Sequence, residues 1–243
     1  MILEFGGLTV LKEIKKNLPN EDLIYLGDTL NFPYGSKNKE DIIKYAIDNT
    51  KFLISQNVKM IIIACGTATS YALNTLQNRF DIPIIGIIEP TVSHIKTLGL
   101  EQIGVIATEG TIKSKAWENA IKKEMPNIEV ISKACPMLAT IAEEGRARSE
   151  EGKKAIKEYM RIFKEKKINN IILGCTHYPI YYPIIREELE YEVNLINTGV
   201  TVSKYLTKHL DKKDVIEKGT EKIFLSEPSE KFLEISEKLL DIS

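Results

Sequence analysis

Two cysteines occupy matching positions in the chain. Residues 61–67 read I-I-I-A-C-G-T and residues 171–177 read I-I-L-G-C-T-H, so each apolar run passes through a small residue into a cysteine. Cys65 and Cys175 are 110 residues apart, which is about the length of one domain. If a strand precedes and a helix follows, each thiol lies beside the unpaired N–H groups and positive dipole of a helix start. A thiol in that setting ionises readily and can act as a base or a nucleophile.

The presence of two matched cysteines reduces the number of reactions that the chain could catalyse. A single cysteine is most often an inert, buried, small apolar residue, but two in matched contexts favour a function. Nucleophilic catalysis by Cys175 with His177 leaves Cys65 without a role, C-T-H lacks a second ligand pair at zinc-like spacing, and redox pairs are usually C-x-x-C. Inversion at a carbon needs a base on one face and an acid on the other, and two equivalent thiols meet that need best.

The third cysteine, Cys135, serves as an internal comparison. It lies in K-A-C-P-M and has no counterpart at a similar spacing, so we predict a structural role for it. Pro136 is expected to open a helix at its first position.

The elements that position the thiols alternate along the chain. Short β-branched runs, apolar almost throughout, alternate with longer Lys/Glu-rich stretches, which is typical of parallel strands covered by helices. The fold class is therefore predicted to be α/β. Asn38 and Ser149 are predicted helix N-caps. The predicted strands are 22–26, 59–64, 83–88, 102–107, 128–132, 169–174, 193–196 and 222–225; the predicted helices are 9–16, 39–55, 69–78, 91–98, 111–124, 151–166, 180–190, 200–210 and a last one through 240.

Composition argues against several classes of partner. The 243 residues include 33 basic and 34 acidic side chains, and this balance disfavours a nucleic-acid partner. No apolar run approaches the roughly 18 to 20 residues needed to cross a bilayer, and no signal peptide is visible. Widely spaced, odd-numbered cysteines are typical of a reducing compartment. We therefore expect a cytoplasmic protein without a membrane partner.

Seven segments, in order, carry a resemblance to a known family. They are G-G-L-T-V-L at 6–11, Y-L-G-D-T at 25–29, P-Y-G-S-K at 33–37, A-C-G-T-A at 64–68, I-G-I-I-E-P at 85–90, G-T-I-K-S at 110–114 and G-C-T-H-Y-P at 174–179. Together they resemble the cofactor-independent glutamate racemases of the aspartate/glutamate racemase superfamily. The resemblance implies interconversion of L- and D-glutamate for peptidoglycan biosynthesis, without cofactor or metal.

The resemblance also implies an architecture and a set of site residues. It implies two pseudo-symmetric parallel-sheet α/β domains, 1–91 with 199–243 and 92–198, with the active site in the cleft between them. Cys65 and Cys175 would be the proton donors and acceptors, and glutamate would be the small-molecule partner; a homodimer is the assembly to consider. The residues expected to line the substrate site are Tyr34, Gly35, Gly66, Thr67, Thr176 and His177, with Asp28 and Glu143 nearby.

Two departures from the family pattern leave alternatives open. The family usually has Asn after the first cysteine, where this chain has Gly66, and it opens with a strand and F-D-S-G-V, where this chain has M-I-L-E-F. The first strand and the Asp-Ser pair are thus expected to be missing, from an atypical or truncated N-terminus; a frameshift upstream of Gly6 is one hypothesis. The alternative functions are racemisation of aspartate or another amino acid, and a catalytically impaired glutamate-binding protein.

Overall fold

Two parallel β-sheets, covered by helices, form the framework. The computed structural model describes residues 2–3, 6–210, 218–230 and 232. One sheet has the strand order β4-β3-β1-β2-β9 and the other the order β6-β5-β7-β8. Every strand pair in both sheets is parallel. The strands are β1 Ile2–Leu3, β2 Leu23–Gly27, β3 Ile61–Ile63, β4 Ile84–Gly86, β5 Gln102–Ala107, β6 Glu129–Ala134, β7 Asn170–Leu173, β8 Asn194–Asn197 and β9 Glu221–Leu225.

The helices follow the strands along the chain and confirm the predicted α/β class. They are α1 Gly7–Asn17, α2 Lys39–Ser55, α3 Gly66–Arg79, α4 Ile88–Lys96, α5 Glu109–Lys113, α6 Ala116–Glu124, α7 Pro136–Glu143, α8 Glu150–Glu165, α9 Tyr182–Leu189 and α10 Thr198–His209. Asn38 and Ser149 cap α2 and α8 as predicted, because their side chains accept from the N–H groups of Asp41 and Gly152. Within the described ranges, no helix is both long and apolar enough to cross a membrane.

The predicted helix 111–124 is wrong as a single element. It is divided into α5 and α6, and Lys115 between them has left-handed backbone angles (φ 56°). The hydroxyl of Ser114 accepts from the N–H of Ala116, so the chain restarts a helix there instead of continuing one. The predicted helix through 240 lies largely outside the described residues.

The first strand, expected to be missing, is present. Ile2–Leu3 forms β1, which pairs with β2 on one side and with β3 on the other. The prediction failed because it rested on the absence of the family's opening residues F-D-S-G-V, whereas a strand is formed by backbone hydrogen bonds, which the pair Ile2–Leu3 also makes. Residues 4 and 5 lie outside the described residues.

The two sheets repeat one pattern. Reading the second sheet backwards as β8-β7-β5-β6 matches β4-β3-β1-β2, and β4 and α4 begin 110 residues before β8 and α10. Thr91 on α4 and Thr201 on α10 keep the same separation, and their buried hydroxyls lie 2.6 Å apart. The helices therefore cross at equivalent points of a pseudo-two-fold arrangement. The domain division 1–91 with 199–243 and 92–198 stays a prediction, which the pairing of β9 with β2 supports.

Candidate active site

A cavity of about 130 Å³ brings the two cysteines together. It lies at the carboxyl ends of β3 and β7, where parallel α/β sheets bind ligands. Six of the eight predicted site residues line it, and His177 and Tyr34 do not. The lining residues are Pro33, Gly35, Ser36, Cys65, Gly66, Thr67, Thr108, Glu109, Pro136, Ala139, Thr140, Gly174, Cys175 and Thr176.

Cys65 occupies the position expected of an activated thiol. It is the N-cap of α3, in an extended conformation, and its Sγ accepts from the N–H of Ala68 at 3.5 Å. Its side chain is thus directed along the first turn of a 14-residue helix. The donor and the helix dipole both favour a negative charge on sulfur.

Cys175 lies in a different local setting from the one predicted. A 3₁₀ turn, Tyr178–Tyr181, follows it, and α9 starts only at Tyr182, so the helix dipole acts less directly here. Instead, Nδ1 of His177 lies 3.5 Å from Sγ of Cys175. The two cysteines hold equivalent positions in the repeat but have different neighbours: a backbone N–H at Cys65 and an imidazole at Cys175.

His177 joins Cys175 to the carboxylate of Glu143, which is largely shielded from solvent. Its Nε2 lies 2.9 Å from Oε1 of Glu143, a close ionic contact rather than an aligned hydrogen bond. The side chains of His177 and Glu143 are 5% and 11% exposed, which limits screening by water. The imidazole thus lies between the thiol and the carboxylate, with one ring nitrogen close to each. Neither His177 nor Glu143 lines the cavity, and they contact the site through the approach of His177 to Cys175.

Three glycines of the first half face the second half at close range. A Cβ on Gly6 would lie 2.2 Å from Oγ1 of Thr176, and one on Gly35 would lie 3.2 Å from Cγ2 of Thr108. A Cβ on Gly66 would lie 2.3 Å from the carbonyl oxygen of Gly174. Because Gly66 follows Cys65 and Gly174 precedes Cys175, the two cysteine loops touch backbone to backbone.

Asp28 anchors the loop that carries Gly35. The carboxylate is 1% exposed and accepts from the side chains of Asn31, Asn49 and Ser226 and from the hydroxyl of Tyr34. Tyr34, predicted to line the substrate site, is buried and directed at this carboxylate instead. The network joins the ends of β2 and β9 to α2, and thereby holds the loop on its side of the cavity.

Hydroxyl groups are the main polar side chains of the cavity. Thr67 and Thr108 line the cavity, and their hydroxyls and that of Thr111, which does not line it, are mutually within 2.8–3.2 Å. All three residues are buried. The Thr67 hydroxyl can accept from both of the others, which leaves its own proton to be donated to a ligand. Among the described residues that line the cavity there is no lysine or arginine, so an anionic ligand must be held by hydroxyl and N–H donors.

Comparison with known proteins shows the family to which the chain belongs. The family model described as Asp/Glu/Hydantoin racemase matches residues 6–203. The chain belongs to this racemase family. It is 36% identical over 240 residues to glutamate racemase from Geobacter metallireducens (97% of this chain, 89% of the relative) and 42% identical over 211 residues to that of Enterococcus faecalis (86% and 77%). The solved glutamate racemase of Francisella tularensis in complex with D-glutamate has a TM-score of 0.91 and 37% identity, covering 100% of this chain and 94% of that one.

Several residues that line the cavity were not predicted from the sequence. Thr108 directly follows β5, and Thr140 lies one helical turn after Pro136 on α7. A polar residue at the end of a predicted strand was the available signal for Thr108. Nothing in the local sequence of α7 indicates that it faces the cleft, because that depends on how the helix packs.

Cys135 differs from the other two thiols of the chain. It is fully buried in the apolar core of the second half and does not line the cavity. Burial raises the pKa of its thiol well above the ordinary value of 9.0. The thiol therefore stays protonated in the folded protein, which fits the predicted structural role.

This pKa shift predicts a loss of stability in alkali. Above about pH 9 the unfolded chain ionises Cys135 while the folded chain does not, so the free energy of unfolding falls by up to about 1.4 kcal/mol per pH unit from this group. The stabilisation is complete below the unfolded pKa and is lost as the pH rises toward the folded one. Urea denaturation of Cys135→Ala should show a shallower decline between about pH 9 and pH 11 than the wild type. Equal slopes would contradict the prediction.

Proposed function

We propose that the chain interconverts L- and D-glutamate by proton transfer between Cys65 and Cys175. The observation that carries the proposal is that both thiols line one cavity, from equivalent strand ends of two repeated halves. Two bases on opposite sides of a substrate carbon are what stereoinversion requires.

The proposed step balances in protons and charge. One cysteine starts as a thiolate and takes the Cα proton, leaving a carbanion stabilised by the adjacent carboxylate group. The opposite thiol gives its proton to the other face of Cα, so the product has inverted configuration. The first cysteine is now a thiol and the second a thiolate, which is the state that removes the proton from the opposite enantiomer.

The surroundings of the two thiols support this assignment. The substrate carboxylates would be held by N–H groups at the start of α3 and by the hydroxyls of Thr67 and Thr176, which line the cavity. His177, 3.5 Å from Cys175, would supply or retain the proton on that side, and Glu143 would hold its charge. The N–H groups at the start of α3 are suited to a thiolate at Cys65, and the imidazole lies within reach of the proton that Cys175 would exchange.

The choice of glutamate rests on the relatives. The Geobacter and Enterococcus proteins carry the name glutamate racemase, and the Francisella structure holds D-glutamate. A role in the cytoplasm, in supplying D-glutamate for peptidoglycan biosynthesis, belongs to the same proposal. Aspartate is the second candidate, because Gly66 replaces the family's usual Asn in the cavity.

Chiral chromatography decides among these functions. The purified protein is incubated separately with L-glutamate, D-glutamate, L-aspartate and D-aspartate, and the enantiomer ratio is followed over time. Glutamate is expected to approach a 1:1 ratio from both sides. Faster conversion of aspartate would support the second candidate, and calorimetric binding of glutamate without conversion would identify an impaired, glutamate-binding protein.

A further inference from the structure

Helix α7 supplies one wall of the cavity and one of its charges. Pro136, Ala139 and Thr140 line the cavity, and Glu143 at the end of the helix contacts His177. These positions share one face of the helix, since they are spaced by three, four and seven residues. The position of this single helix therefore sets both the width of the cleft and the distance from Glu143 to His177.

Two tyrosine hydroxyls attach α7 to the turn that follows Cys175. The hydroxyl of Tyr178 donates to the carbonyl of Cys135 at 2.9 Å, and that of Tyr181 donates to the carbonyl of Leu138 at 2.8 Å. Both tyrosines are fully buried. Burial raises the pKa of both hydroxyls, so they stay protonated and keep donating at neutral pH.

The two hydrogen bonds connect α7 to the turn after Cys175, and the distance between these two elements sets the distance from Glu143 to His177. The acceptors lie at the N-cap and third residue of α7, and the donors lie three and six residues after Cys175. The contact from Glu143 to His177, 2.9 Å, spans the same junction, and His177 in turn lies 3.5 Å from Cys175. A shift of α7 by a fraction of an ångström would alter the first contact directly and act on Cys175 through the imidazole.

We propose that Tyr178 and Tyr181 are positioning residues of the active site: their hydroxyls hold α7 against the Cys175 turn, and thereby hold Glu143 at His177. The proposal rests on the proposed function for its effect on turnover. Its structural part concerns the environment of Cys175 alone, and can be measured without racemisation.

The chain supplies matched controls for a test by tyrosine-to-phenylalanine substitution. Tyr182 donates to the carbonyl of Leu195 at 2.6 Å, and Tyr191 donates to the carbonyls of Phe163 and Ile168 at 2.9 and 3.0 Å. These bonds have the same chemistry and lie in the same half, but none reaches α7. All four single variants should lower the melting temperature by similar amounts, so stability alone cannot explain a difference in activity.

Steady-state kinetics gives the first readout. The double variant Tyr178→Phe/Tyr181→Phe is expected to lower kcat about tenfold with KM changed less than about twofold, because misplacement of catalytic groups acts on the reacting geometry. Tyr182→Phe/Tyr191→Phe is expected to keep kcat within about twofold of the wild type. In a Glu143→Gln background the tyrosine pair should cost little further activity. Equal losses in the two double variants, or full additivity with Glu143→Gln, would overturn the proposal.

Alkylation gives a second readout that does not depend on racemase activity. Cys175 and Cys65 are labelled with iodoacetamide across a pH series and quantified by peptide mass spectrometry. Among the described residues, the imidazole of His177 lies 3.5 Å from Sγ of Cys175, and Cys135, Tyr178 and Tyr181 interact with Cys175 electrostatically. Cys65 and Glu109 line the same cavity. The Tyr178→Phe/Tyr181→Phe variant should shift the pH profile of Cys175 and leave that of Cys65 in place. Unchanged profiles at both cysteines would overturn the proposal, even if the chain does not racemise glutamate.

Discussion

Replacing Cys175 with alanine is expected to abolish racemisation while leaving hydrogen exchange at the Cα of one glutamate enantiomer. Cys65 can still remove the proton on its own face and return a solvent deuteron to that face, but no group remains to protonate the other. Cys65→Ala should likewise abolish racemisation, and it should retain hydrogen exchange of the opposite enantiomer only. General acid–base groups contribute about 10²- to 10⁴-fold to rate, so kcat/KM for racemisation should fall by at least that range.

Proton NMR in deuterium oxide measures the exchange, and polarimetry measures the racemisation of the same samples. Cys135→Ala is the matched control, since its thiol is buried away from the cavity, and it should exchange and racemise both enantiomers. For the enantiomer whose exchange a variant is expected to lose, wild-type exchange no faster than that of the variant would contradict the two-base mechanism. Exchange of the same enantiomer by both variants would contradict the assignment of one thiol to each face.

A single methyl group on Gly66 is expected to lower racemisation by about 10- to 100-fold. The added Cβ would lie 2.3 Å from the carbonyl oxygen of Gly174, a backbone atom that has no rotamer through which to move away. The cysteine loops must then separate, and misplacement of catalytic groups by about 1 Å can cost roughly 100-fold in rate. Gly66→Asn, which restores the residue usual in the family, should be no better than Gly66→Ala for the same reason.

Gly104→Ala provides the comparison for Gly66→Ala. Its Cβ would lie 2.7 Å from Cε1 of Phe163, so it crowds the core of the second half rather than the cysteine loops. Overpacking of this kind costs about 1 to 3 kcal/mol of stability, which thermal denaturation should record for both variants. Only Gly66→Ala should lose racemisation at a temperature where both are folded. Wild-type activity in Gly66→Ala would show that the contact between Gly66 and Gly174 does not control the spacing of the two cysteine loops.

Local patterns in the sequence were sufficient for much of the fold. The strand at 102–107 and the helix at 39–55 are found with their predicted bounds, because continuous apolar runs and a capping asparagine act over a few residues. The separation of 110 residues between Cys65 and Cys175 also recurs in β4 and β8 and in α4 and α10. That repeat in the sequence correctly indicated two similar halves.

The orientation of an individual side chain was predicted less accurately than the secondary structure. Tyr34 was expected beside the substrate, but its hydroxyl is directed at the buried carboxylate of Asp28. The motif P-Y-G-S-K at 33–37 did indicate a loop beside the cavity, since the neighbouring Gly35 lines it. Which way a side chain points within such a loop depends on partners from distant segments, here Asn49 and Ser226.

The sequence by itself determined the α/β class, the repeated strand-cysteine unit and the separate nature of Cys135, because each follows from residue types at short range. Only the tertiary structure decided that Ile2–Leu3 is a central strand and that Glu143 meets His177. It also decided that Gly66 lies against Gly174. These three features are contacts between segments far apart in the chain, and their distances are set by how whole sheets and helices pack, which no local pattern encodes.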